Sequence, residues 1–206
     1  MEALNFLVET DHFGDVLGIR RGQRPGPTLL LDAHLDTVPV TDPSTWKHDP
    51  FGAELVQDRL WGRGSADTKG SLATMICAAA TLEDFAGTII VSASVCEENM
   101  TTKALDHILE NHPVDAVLVG EPTSLKLGVA QKGRAGIFVE ASGRSAHTSR
   151  PELGDNAVYK MMEAISRIRA LALPFDPELG SGVCELIEID SEPKPSPGMV
   201  PQRQPM

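Results

Sequence analysis

A chain of 206 residues with 41% hydrophobic content can bury one sizeable core or two small ones, and its formal net charge of -11 with no clustered basic face argues against a nucleic-acid partner. No run of 18 apolar residues reads as a membrane span, and "MEALNFLVETDH" has neither the basic start nor the apolar core of a secretion signal. The expectation is a soluble cytoplasmic protein with no membrane partner.

"PTLLLDAH" (27–34) is an apolar run that predicts a strand, and "TKGSLATMICAAATLEDF" (68–85) is Ala-rich with helical periodicity. "GTIIVSASVC" (87–96) predicts a second strand, "TTKALDHILENH" (101–112) a helix opened by capping threonines, and "VDAVLVG" (114–120) a third strand. Near-continuous aliphatic strands are expected where both faces are covered, and their alternation with helices predicts an α/β sheet with helices packed over it.

After Glu121 the pattern changes. "KLGVAQ" (126–131) and "AGIFVEASG" (135–143) read as strands, and "GVCELIEID" (182–190) as another. Between them "GDNAVYKMMEAISRIRALAL" (154–173) carries Val158, Met161, Met162, Ile165 and Ile168 on one helical face, with Asp155 or Asn156 at its start. Two domains are expected, 1–134 and 135–206, the second ending in the Pro-rich "SEPKPSPGMVPQRQPM". Cys77, Cys96 and Cys184 are odd in number, far apart and set in apolar surroundings, which predicts small buried core residues.

Acids and a histidine recur at the ends of the first domain's elements. His34 and Asp36 follow the first run, Asp67 precedes a helix in "WGRGSADTKG", Glu97 and Glu98 close the second run, and Glu121 closes the third. Singly, each has a plain reading: a turn histidine, a helix cap, a solvated pair, a loop residue. Together they fall where an open α/β sheet places its ligands, outside the carboxyl ends of its strands. Carboxylates gathered there repel unless a positive charge stands among them, and a pair of divalent ions supplies it. Imidazole and carboxylate donors suit Zn²⁺, with Co²⁺ or Mn²⁺ as neighbours, and one carboxylate can bridge ions ~3.5–4 Å apart. Asp36 would then orient the His34 ring and raise its basicity.

In this order and spacing, "LDAHLDTVP", "WGRGSADTKG", "VCEEN" and "VGEPT" resemble the di-metal M20 family of metallopeptidases and deacylases, in particular its acetylornithine deacetylase and succinyl-diaminopimelate desuccinylase branch. The resemblance implies an exopeptidase-like α/β catalytic sheet with helices on both faces, plus a partial α+β lid that mediates homodimers. It implies that His34 and Glu121 bind one metal and Glu98 the other, that Asp67 bridges them, and that Glu97 is the general base. "EASGRSAHTSRPELGDNAV" resembles the lid segment whose histidine, here His147, reaches the active site of a second subunit; Arg144 and Arg150 flank it. The implied reaction is amide hydrolysis in an N-acyl amino acid or a short peptide.

The resemblance also implies a further ligand histidine on a segment returning to the catalytic domain, and none of His12, His48, His107 or His112 stands in a matching context. One metal is thus expected to bind weakly, in a chain that reads as truncated at both ends. The alternative is a non-catalytic remnant that keeps the fold and self-associates. A nucleotide-binding reading is disfavoured, because "GRGSADTKG" lacks the phosphate-loop order of Gly, Lys and Ser/Thr.

Overall fold

A computed structural model describes residues 1–99 and 103–191. The chain divides into two units, Met1–Leu127 and Gly128–Met206.

The first unit is built on a five-stranded sheet. In chain order its elements are β1 (Leu7–Thr10), β2 (Val16–Arg21), β3 (Arg24–His34), the hairpin strands β4 (Glu54–Val56) and β5 (Arg59–Trp61), α1 (Gly70–Thr81), β6 (Ala86–Ser94), α2 (Lys103–Asn111) and β7 (Ala116–Val119). The sheet runs β1-β2-β6-β3-β7, with β4 and β5 forming a separate two-stranded ribbon. β3 lies parallel to both β6 and β7, whereas β2 runs antiparallel to β1 and β6.

Side-chain parity divides the core into two layers. Leu31, Ala33, Ile89, Val91 and Ala93 pack with Leu72 and Ala79 of α1, while Leu17, Ile19, Leu30 and Ile90 pack with Ile108 of α2. Each strand of the β3–β6 pair therefore feeds both layers, as its uninterrupted apolar sequence requires. The fold is α/β with helices on both faces.

Continuing toward the carboxyl edge, the parity that gives Leu30 and Ile90 to the α2 layer next places Asp32 opposite Ser92 and His34 opposite Ser94. All four are buried, and the Ser92 hydroxyl donates to the Asp32 carboxyl. Burial pushes Asp32 up, opposed by the Ser92 and Ser94 hydroxyls and the nearby His34.

Three sequence expectations need correction. β7 is not covered on both faces: each of its four residues is exposed, because it holds the sheet's edge and pairs only with β3. The stretches 126–131, 135–143 and 182–190 form no strand. In the second unit α3 (Ala157–Arg169) forms, along with a two-residue pairing of β8 (Phe175–Asp176) with β9 (Gly180–Ser181). None of the described residues from 128 onward is buried, and Phe138 and Ile187 are 99% and 83% exposed. Apolar alternation becomes a strand only where a ladder partner and a surface to pack on are present. The cysteines are not core residues either: Cys77 and Cys184 are exposed and Cys96 is half-buried.

α3 begins where its polar start predicts. The Asn156 side chain accepts from the Val158 and Tyr159 amides, satisfying two of the helix's unpaired N–H groups. No helix among the described residues is long and apolar enough to cross a membrane.

Candidate metal centre

The site grows from the end of β3. His34 is 2% exposed, and its two ring nitrogens face different partners. Nδ1 lies 2.9 Å from the Asp36 backbone carbonyl, which can only accept, so Nδ1 carries a proton and donates. Nε2 is thereby aimed at the acids, 3.1 Å from Asp67 Oδ1 and 4.0 Å from both Glu97 Oε2 and Glu121 Oε1. Burial opposes the charged ring, but the Asp36 carbonyl, the Asp67 carboxylate and the charges of Glu121 and Glu97 outweigh it and push His34 up.

The peptide carbonyl of Asp36 thus fixes the tautomer, and its carboxylate, 3.6 Å from Nδ1, has another task. Its two oxygens accept from the Glu97 amide at 3.3 Å and the Glu98 amide at 3.1 Å. One residue therefore orients the buried imidazole and seats the backbone of the adjacent glutamates. Cys96, with φ 65, turns the chain between β6 and that pair.

Asp67 arrives on a different loop. Gly64, at φ 80, lets this loop approach closely: a Cβ there would stand 2.7 Å from Thr37 Cγ2, on the segment that follows His34. The buried Thr68 hydroxyl donates to the Gly120 carbonyl, and the Gly120 amide donates to the Asp32 carbonyl at 2.8 Å. Glu121 follows directly, so the Asp67 loop and the end of β7 are tied through neighbouring residues. Burial pushes Glu121 up; His34 opposes this, while Asp67, Glu97 and Glu98 add to it.

His34, Asp67 and Glu98 each offer a donor atom within 4.8 Å of the others. An imidazole nitrogen beside carboxylate oxygens, with no thiolate, is a donor set for a borderline or hard divalent cation. Glu97 and Glu121 stand at the rim of this group, close to the same Nε2. The residues present fit a metal.

The remaining sequence candidates have local partners of their own. His147 is exposed in the second unit, its Nδ1 2.8 Å from Ser149 Oγ. Arg150 pairs with Glu152, and Arg144 bonds through its backbone to Asp155. Among the other histidines, His48 pairs with Glu54, His112 approaches Glu9, and His12 stacks edge-on against His107. Sequence reasoning missed Asp32 and Thr68 as supports. The parity of Asp32 with His34, two residues apart on one strand, is the signal that could have found the first.

The first unit thus brings one imidazole and the carboxylates of Asp67, Glu97, Glu98 and Glu121 together at the carboxyl edge of its sheet. The model of peptidase family M20/M25/M40 matches residues 30–199, and the chain belongs to this family. It is 33% identical over 199 residues to the protein YgeY of Escherichia coli strain K12, a match covering 92% of this chain and 49% of YgeY. Among solved structures it is similar to the M20 metallo-carboxypeptidase Sso-CP2 of Sulfolobus solfataricus, at TM-score 0.62 and 24% identity, over 86% of this chain and 43% of that one. It is also similar to the di-peptidase Dug1p of Saccharomyces cerevisiae, at TM-score 0.51 and 16% identity, over 80% and 37% of the two chains. At these identities the likenesses show the shared fold alone. The chain spans about half the length of the curated relatives it matches.

Proposed function

We propose that this chain carries the metal-binding half of an amide hydrolase acting on N-acyl amino acids or short peptides. The observation that carries this reading is the convergence of His34, Asp67 and Glu98 on one point, with Glu97 and Glu121 beside them. Membership of a peptidase family and the fold shared with a carboxypeptidase and a di-peptidase support it.

In this reading His34, Glu121, Glu98 and Asp67 would hold a pair of divalent ions, His34 and Glu121 serving one, Glu98 the other and Asp67 both, with Zn²⁺ favoured and Co²⁺ or Mn²⁺ acceptable. The bound ions would polarise the scissile carbonyl and acidify the attacking water. Glu97 takes the proton from that water and passes it to the leaving amine. Glu97 and Glu98 divide these tasks because they are successive residues whose amides are both fixed on Asp36. His147, reaching in from the lid of a second copy in a homodimer, would donate to the developing oxyanion.

The test is a Zn²⁺ titration followed by hydrolysis assays on N-acetyl amino acids and dipeptides. The expected result is one tight and one weaker ion per chain, with turnover falling ~10²–10⁴-fold in Glu97→Gln while metal remains bound. A chain that takes up no stoichiometric metal overturns the proposal. Metal binding without turnover supports a second reading, a non-catalytic form of the fold.

A further inference from the structure

Asp15 is a buried acid that the reaction does not use. It sits at the end of the β1–β2 turn with 0% exposure. Its Oδ1 accepts from the Val95 amide at 2.8 Å, 80 residues away in sequence. Val95 is the first residue after β6 and opens the turn through Cys96 to Glu97 and Glu98. On the far side of that turn Asp36 takes the Glu97 and Glu98 amides. The turn is thus held between two carboxyl groups, with Cys96 at φ 65 between them.

The second oxygen of Asp15 shows in which state it does this. Asp15 Oδ2 and Asp11 Oδ2 are buried, and neither meets a donor among the described residues. The two acids are neighbours in this turn, the Asp15 amide donating to Asp11 Oδ1 at 3.0 Å. Two ionised carboxylates cannot satisfy each other, whereas one proton between them satisfies both. Asp11 is the better anion, since its Oδ1 already accepts from the Phe13, Gly14 and Asp15 amides at 2.9–3.0 Å. The groups facing the pair are His107 of α2, whose Nε2 is 3.9 Å from Asp11 Oδ2, and Asp32 of β3. Burial is the largest influence on Asp15 and raises it to about 6, with the Val95 amide opposing and Asp11 and Asp32 adding.

We propose that Asp15 is a positioning residue for the Glu97–Glu98 turn, accepting from Val95 and, in its protonated state, donating to Asp11. The part of this inference that concerns metal affinity rests on the hydrolase reading above; the part that concerns the turn does not. Asp15→Asn keeps an oxygen for Val95 and an N–H₂ for Asp11, whereas Asp15→Ala keeps neither.

The experiment combines hydrogen exchange at the Val95, Glu97 and Glu98 amides with Zn²⁺ titration, in wild type and both variants. Asp15→Ala is expected to lose protection at these amides and bind Zn²⁺ at least tenfold more weakly, and Asp15→Asn to restore both. Unchanged protection and affinity in a folded Asp15→Ala, or an Asn variant as impaired as the Ala variant, overturns the proposal. If wild type binds no Zn²⁺, the metal reading fails and the exchange data alone decide on Asp15.

A thermal readout serves if Asp15→Ala does not fold. The folded state raises Asp15 from 3.8 to about 6, so its favourable contribution is complete below pH 3.8 and disappears as pH rises through about 6. Asp15→Asn should therefore melt a few degrees above wild type at pH 8, with the gap closing toward pH 4. A gap independent of pH rejects the neutral-acid role.

Discussion

β3 and β7 are neighbours in one sheet with equally apolar sequences, TLLLDAH and DAVLVG, yet they are buried to very different extents. Leu30 and Leu31 of β3 are 0% and 9% exposed, whereas Val117, Leu118 and Val119 of β7 are 43%, 44% and 50% exposed. β3 has a strand on each side and a helix over each face; β7 has a strand on one side only. An apolar run states a demand for burial, and position in the sheet decides whether it is met. The two strands accordingly secure their functional ends by different means. β3 delivers His34 out of a packed core, while Glu121 after β7 depends on Gly120, which is held by the Asp32 carbonyl and the Thr68 hydroxyl.

The largest test of this contrast is Leu30→Ala, expected to cost ~2–5 kcal/mol in denaturant unfolding, against less than about 1 kcal/mol for Val119→Ala. Equal costs would mean that β7 is as well packed as β3. Next, Thr68→Val removes the hydroxyl from the buried Gly120 carbonyl and should cost ~1–3 kcal/mol, because the acceptor is left without its partner. An unaffected melting curve would show that the end of β7 is secured some other way. On the β3 side, Asp36→Ala frees the Glu97 and Glu98 amides and should weaken Zn²⁺ binding ~10–100-fold in titration, the usual scale for residues that orient metal ligands. Full retention of affinity in that variant would remove Asp36 from its seating role.

The same contrast explains what could be read from the sequence. His34, Glu97, Glu98 and Glu121 were legible because charge at the end of an apolar strand costs energy unless it serves a purpose. β3 and β6 were legible as strands covered on both faces because continuous apolar runs call for it. Asp15 was not: "FGDV" reads as an ordinary turn, and its partner Val95 is 80 residues distant. The detail of Asp36 was also hidden, since sequence cannot say whether a carbonyl or a carboxylate meets an imidazole. "AGIFVEASG" has a strand's composition but meets no ladder, and composition does not report whether a partner exists.

The smallest expected effect is the most discriminating for β7. In Leu118→Lys a side chain that is 44% exposed becomes charged on an edge strand. If β7 stands open as described, the ammonium stays in water and stability should change by no more than about 0.5 kcal/mol. Lysine on an edge also opposes strand-to-strand pairing between molecules, so light scattering at rising protein concentration should show less self-association than wild type. A loss of several kcal/mol instead would mean that Leu118 is covered in solution by a second copy or another surface, since only a buried site makes a new charge so costly. In that event β7 would satisfy its apolar sequence as β3 does, by intermolecular rather than intramolecular packing.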